Sequence, residues 1–227
     1  VDKISDKTFA AWQQKASAIT LKLPELNPYI PDDFTLIKPD KQYKHPELIV
    51  DEPGLRVLYM PSRYFAGEPK ADVSVVLRNP QAMDSARNQV MFALNDYMAG
   101  IALDQLSNQA SVGGISFSTN ANNGLMVNAD GYTQRLPKLF ATLLDGYFSF
   151  TPTEDQLAQA KSWYSRMMAS AEKGKAYEQA IMPVQMLSQM PYVQREERRA
   201  LLPSIALKEV ITYREKLKKG ARPEFLV

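Results

Sequence analysis

The chain has 227 residues, of which 45% are hydrophobic and 10% aromatic, a composition typical of one large globular domain or a domain with an extension. Its 27 Lys and Arg residues nearly balance its 25 Asp and Glu residues, and a net charge of +2 argues against binding to nucleic acid or to an anionic membrane surface. The absence of Cys excludes disulfides, thiolate zinc sites and thiol nucleophiles.

Residues 1–46 predict a helix followed by an extended arm. Ser5 is a typical N-cap residue, and apolar residues spaced by three and four predict a helix over 5–21: Phe9, Trp12, Ala16 and Ile19. Five prolines between residues 24 and 46 then exclude a regular helix. Apolar residues lie among these prolines, so we expect the arm to dock onto a folded surface: Leu26, Tyr29, Ile30, Phe34 and Leu36.

Alternating apolar residues predict five strands. The segments 48–51 and 55–60 form a hairpin through Pro53 and Gly54, and 71–78 adds a third strand, which we interpret as a three-stranded meander. A second hairpin is predicted from 115–119 and 125–130, joined by a turn rich in Asn and ending in Gly124.

Helical spacing predicts a long buried helix over 84–108, and further helices over 134–147, 153–172, 175–190 and 204–219. In the helix over 153–172, the apolar face contains Leu157, Ala160, Tyr164, Met167 and Ala171. The last residues, 222–227, begin another strand.

These elements predict an α+β fold with a mainly antiparallel sheet and helices packed on one face. The helices of 84–108 and 134–190 should cover that face, because an inward set of period two requires an apolar layer against it. The predicted inward residues are Val57, Val75, Leu77, Phe117 and Val127.

No pattern of residues predicts catalysis or metal binding. The single histidine, His45, precedes Pro46 in the arm, and one imidazole without thiolates is a poor basis for a zinc site. The pair Gly113-Gly114 lacks the spacing of a phosphate loop and predicts a turn. A run of Arg and Glu predicts an exposed helix with intrahelical ion pairs rather than a nucleic-acid footprint: Arg195, Glu196, Glu197, Arg198 and Arg199.

The order of elements nevertheless resembles one repeat of the inverted-zinc-site metallopeptidases, the pitrilysin/insulysin family. Specific segments resemble the third repeat of that family, and the similarity covers essentially the whole chain: 48–52, 63–65, 84–97, 114–120 and 221–225. The resemblance implies four homologous α+β repeats that form two bowl-shaped halves around a peptide substrate. Only the first repeat of the family carries the H-x-x-E-H zinc helix.

The helix over 84–108 resembles the counterpart of that zinc helix, and it contains neither His nor Glu. Its central polar residues are Asn88, Gln89, Asn95 and Asp96. We therefore assign no catalytic, cofactor-binding or metal-ligating residue to this chain. The resemblance implies zinc in the first repeat of a longer protein, and no cofactor here.

Two functions follow as hypotheses. In the first, residues 1–46 are an interdomain linker arm and 47–227 a non-catalytic repeat, truncated at its C-terminal strand, in the chamber wall of a periplasmic zinc endopeptidase. Its partners are the other repeats of the same chain and the peptide substrate, with no nucleic acid or membrane. We also expect self-association of the fragment through exposed backbone of the last strand. The alternative is a free-standing peptide- or partner-binding module that shares only the fold.

Overall fold

The structure is a computed structural model that describes residues 4–17, 25–39, 41–62, 64–171, 173–175, 177, 180–181, 184 and 193–227. Within these residues six strands form one sheet: β1 (Glu47–Glu52), β2 (Leu55–Tyr59), β3 (Lys70–Arg78), β4 (Ser116–Ala121), β5 (Gly124–Tyr132) and β6 (Arg222–Leu226). The predicted strands are confirmed to within two residues at each end. The fold is α+β with a mostly antiparallel sheet, as predicted.

The strand order is β1-β2-β6-β3-β5-β4. The predicted meander of the first three strands is therefore wrong, because β6 lies between β2 and β3, parallel to β2 and antiparallel to β3. This order could not be predicted from local alternation, since β6 is more than 140 residues away from both neighbours in sequence. Because β6 is paired on both sides, the expected exposed backbone on the last strand is wrong as well.

The described helices are α1 (Asp6–Ser17), α2 (Ala86–Ala102), α3 (Asp104–Val112), α4 (Leu136–Ser149), α5 (Glu154–Ala171), α6 (Arg195–Leu201) and α7 (Leu207–Lys219). The single helix predicted over 84–108 is two helices, because the buried Leu103 leaves helical geometry at φ −93° and ψ 1°. The apolar spacing continues across this bend, so periodicity alone could not detect it. Most of the helix predicted over 175–190 lies outside the described residues.

One face of the sheet packs against α2–α5 and α7. Val75, Leu77 and Val127 are buried on this face, and Val57 and Phe117 are half-buried, which confirms the predicted register. Helix α2 is anchored across the layer by Arg87, whose guanidinium donates to both carboxylate oxygens of Glu209 on α7 at 2.8 Å. The helix layer therefore holds α2 against the sheet along its length.

The opposite face of the sheet is polar. Side chains there bond across neighbouring strands: the Ser74 hydroxyl to Asn128 at 2.7 Å, and Ser116 to Asp130. On the same face Arg78 donates to Glu224 of β6. These residues are exposed or half-buried, so this face suits contact with water.

The arm docks onto the fold, as predicted. Tyr29 is only 2% exposed, and the Asn27 amide beside it donates to the Gln109 carbonyl of α3 at 2.7 Å. Further along, Arg135 donates to the Ile30 carbonyl at 3.1 Å and to Asp32 at 2.7 Å. Proline prevents a helix in this segment, but side-chain and carbonyl contacts still fix its path.

Helix α1, by contrast, is exposed along its described length. Its apolar side chains Phe9 and Trp12 are 55% and 54% exposed. An apolar helix face of this kind is typical of a surface that packs against another part of a protein. No helix in the described part of the chain is both long and apolar enough to cross a membrane.

Candidate functional site

A cleft of about 640 Å³ lies between α2, the β4–β5 hairpin, α5 and α6. It is lined by aromatic, amide and methionine side chains together with Asp96 of α2 and Arg198 of α6, which are the two charged groups among its lining residues. Helix α2 is the element that the family resemblance makes the counterpart of a zinc helix. The chemistry of this cleft therefore decides what that helix can do in this chain.

Helix α2 presents one narrow face to the cleft. The helix begins at Ser85, whose hydroxyl accepts the Asn88 N–H, and this cap sets the rotation of the residues that follow. Phe92, Ala93 and Asp96 line the cleft, and their spacing of three and four places them on the same side of the helix.

Asp96 is held by hydroxyl groups. The Tyr147 hydroxyl donates to its Oδ1 at 3.2 Å, and the Thr119 hydroxyl on β4 bonds the same carboxylate. Burial raises the pKa of Asp96, and the two hydroxyl bonds oppose part of that rise. Asp96 therefore belongs to a local polar network rather than standing free in the cleft.

Helix α5 forms an aromatic wall. Trp163 stacks on Tyr97 of α2 with ring centroids 4.8 Å apart, and Tyr164 beside it is 2% exposed. The predicted buried face of α5 needs one correction: Met168 is buried, whereas Met167 is 37% exposed and lines the cleft. A shift of one residue rotates a helical side chain by about 100°, which a sparse apolar stripe cannot resolve.

Arg198 turns toward the cleft from α6. The predicted helix over this run is confirmed, but none of the ion pairs between described residues involves Arg198, so the predicted intrahelical pairing is wrong for it. Burial raises the pKa of Tyr164, and a bond to Arg198 opposes this rise. The Arg198 Nε is buried without a hydrogen-bond partner in the described part of the chain.

The donor set of this cleft does not fit zinc. Structural and catalytic zinc sites use at least three protein ligands from Cys, His, Asp or Glu. The cleft offers one carboxylate, and the described residues contain no group of three or more such side chains placed to hold a metal. His45 is exposed in the arm, where its role as a surface residue agrees with the sequence-based interpretation. No metal chemistry is therefore derived for this chain.

Sequence reasoning missed the residues that define the cleft. Asp96 was noted only as a polar residue of the helix, and Trp163 was not singled out. A single sequence carries no signal that α2, α5 and α6 converge on β4. The available hint was the odd Arg of α6 at the inner position of an otherwise exposed charged helix.

Comparison with known proteins gives a consistent result. Residues 1–200 match a family model described as the middle or third domain of peptidase M16. The chain is 78% identical over its full length to Protease 3 of Escherichia coli O157:H7 and 80% identical to Protease 3 of Salmonella typhi. It is 28% identical over 185 residues, 80% of the chain, to the peroxisomal insulin-degrading enzyme-like 1 of Arabidopsis thaliana, of which it covers 19%.

The fold agrees with these similarities. The crystal structure of pitrilysin superposes with a TM-score of 0.92 at 78% identity, over 99% of this chain and 24% of that one. The chain likewise spans 24% of the length of the Protease 3 sequences named above. It belongs to the peptidase M16 family, as a middle or third domain of the kind found in these longer proteases.

Proposed function

We propose that this chain forms a non-catalytic part of the wall of a closed substrate chamber in a zinc metalloendopeptidase that degrades peptides and small proteins. The observation that carries the proposal is the family match along the chain combined with the donor set of α2. The helix that would be the zinc helix in a catalytic repeat presents Phe92, Ala93 and Asp96 to its cleft, beside Trp163 of α5. Such a surface can contact a polypeptide but offers no zinc site.

The surfaces of the chain support a place within a larger assembly. The exposed Phe9 and Trp12 of α1 suit packing against another repeat of the same protein, because large apolar side chains on one helix face are stabilised by burial. The polar sheet face carries cross-strand hydrogen bonds and charges, which suit a wet interior surface. These properties support the wall role independently of the sequence match.

The zinc of the proposed enzyme would be held by the H-x-x-E-H helix of a first repeat, outside this chain. Residues 1–46 would then be the arm that joins the two halves of the enzyme, and 47–227 the third repeat. The bacterial relatives and the family resemblance favour the periplasm as the compartment.

Photo-crosslinking tests the wall role in the full-length gene product that contains this chain. The expected catalytic Glu of the first repeat is replaced by Gln, so that a photoreactive peptide substrate enters the chamber without being cleaved. We expect crosslinks within residues 47–227 that an unlabelled peptide suppresses by competition. Crosslinks confined to other repeats would contradict the wall role.

A second measurement separates this function from a free-standing binding module. An antibody against this chain should detect a polypeptide several times longer than 227 residues in the source cells, since the relatives are longer by that factor. A mature polypeptide close to 227 residues would favour the binding module instead.

A further inference from the structure

The two edges of the sheet differ in how they are protected. β1, at one edge, contains Glu47, Asp51 and Glu52 and has an irregular register between Leu48 and Val50. Charges and bulges of this kind prevent an edge strand from pairing with another chain. β4, at the other edge, is Ser-Phe-Ser-Thr-Asn-Ala and carries no charge, no proline and no break in register. The sequence of β4 therefore leaves its edge open to pairing.

The outer side of β4 presents free backbone groups. β4 pairs with β5 over all six residues, and no other described strand lies beside it. In such a strand, alternate N–H and C=O groups point away from the sheet. Six residues match the usual length of a strand, about 5–6 residues, so the edge is long enough for an added strand.

The cleft described above adjoins this same edge. Thr119, Asn120 and Ala121 belong to β4 and line the cleft, with Trp163 and Met167 of α5 also in its lining. A volume of about 640 Å³ lies within the range of ligand sites, roughly 300–1,000 Å³. A strand bound at the edge could therefore place side chains in a cavity with an aromatic wall.

The charge in the cleft selects the ligand. Arg198 is the one cation that lines it, and the buried Nε of Arg198 has no hydrogen-bond partner among the described residues. The nearby carboxylate of Asp96 is already bonded to Thr119 and Tyr147. A buried guanidinium N–H without an acceptor is costly, and a carboxylate is its strongest partner.

We propose that the outer edge of β4 binds an extended peptide as an added strand, and that a carboxylate of this peptide occupies the cleft against Arg198. The inference deepens the proposed function, on which it rests for peptides as the ligand class. Its test requires no catalysis and no longer protein, so its failure would leave the wall role standing. Likewise, failure of the crosslinking experiment would not remove a peptide site from the chain.

The first test measures binding of a fluorescein-labelled peptide of about eight residues, slightly longer than a strand, by fluorescence polarisation. The peptide alternates Thr and Val around a central Glu, and the protein is the 227-residue chain. We expect saturable binding that Arg198→Gln weakens roughly tenfold, as loss of a charge-assisted hydrogen bond predicts. Arg199→Gln is the matched control, because Arg199 is exposed on the same helix and does not line the cleft.

The peptide supplies a reciprocal test that needs no protein variant. Replacing its Glu with Gln should weaken binding to the unsubstituted chain as much as Arg198→Gln does, with no further loss when both changes are combined. Two peptides N-methylated at alternate residues in opposite phase then test strand pairing. One phase blocks the edge that faces β4 and should abolish binding, whereas the other should leave it intact.

Several results would overturn the inference. They are the absence of saturable binding up to about 1 mM peptide, equal binding of both N-methylated peptides, or equal weakening by Arg198→Gln and Arg199→Gln. Thermal unfolding establishes whether Arg198→Gln is folded. If it is not, the Glu→Gln and N-methylated peptides decide the question on the unsubstituted chain.

Discussion

Replacing Gly113 with Ala should detach the arm from the folded domain. Gly113 follows α3 and is buried against the backbone of Tyr29. A Cβ at this position would lie 2.7 Å from the Tyr29 carbonyl carbon and closer still to its oxygen. Real Cβ atoms do not approach backbone so closely, and a backbone carbonyl cannot rotate away as a flexible side chain can. The arm must therefore move away from α3.

The cost of this movement can be worked from the contacts that would be lost. Exposing a buried aromatic side chain such as Tyr29 costs about 2 kcal/mol, and losing the hydrogen bond from Asn27 to Gln109 costs about 1 kcal/mol. We therefore expect Gly113→Ala to lower the free energy of unfolding by about 3 kcal/mol, or the urea midpoint by roughly 1 M. Urea denaturation followed by circular dichroism measures this change.

Gly100→Ala is the matched control. Gly100 lies in α2, and a Cβ there would meet no atom within 4 Å. Because Ala is the better helix former, this change should stabilise the chain by about 0.5–1 kcal/mol. Adding Tyr29→Ala to Gly113→Ala should cost little more than either change alone, since both disrupt the same contact. If Gly113→Ala unfolds at or above the midpoint of the unsubstituted chain, the docking argument is wrong.

The remaining predictions concern metal, pH and association. The 227-residue chain should hold no stoichiometric zinc after dialysis and cleave no peptide; one tightly held zinc per chain by metal analysis would contradict this. Burial raises the pKa of Asp96, so the folded state binds that proton more tightly than the unfolded state. Its contribution to stability is full below the unfolded pKa and is lost as pH rises toward the folded pKa, and Asp96→Asn should reduce this loss in melting temperature measured against pH. An unchanged pH profile would refute that reasoning. Light scattering should show concentration-dependent self-association that Trp12→Lys reduces, since Trp12 is 54% exposed on α1; equal masses for both chains at high concentration would exclude α1 as the contact.

Local sequence was sufficient to determine most elements of this protein and the face that each strand buries. Val75 and Val127 alternate with polar neighbours, and the period of two alone assigns them to the core. The same is true of the arm, where proline excludes a helix and the apolar Tyr29 requires a docking surface. The mismatch between α2 and a zinc helix is also a property of sequence, because the ligand types are missing.

Only the tertiary structure decided the sheet order and the cleft. β6 enters between β2 and β3 because its Phe225 pairs with both Val57 and Val75, a choice made by long-range packing and not by any local pattern. The cleft brings Asp96, Trp163 and Arg198 together from three helices against one strand edge. Periodicity describes one element at a time, whereas a site between elements depends on how their faces are rotated and placed against each other.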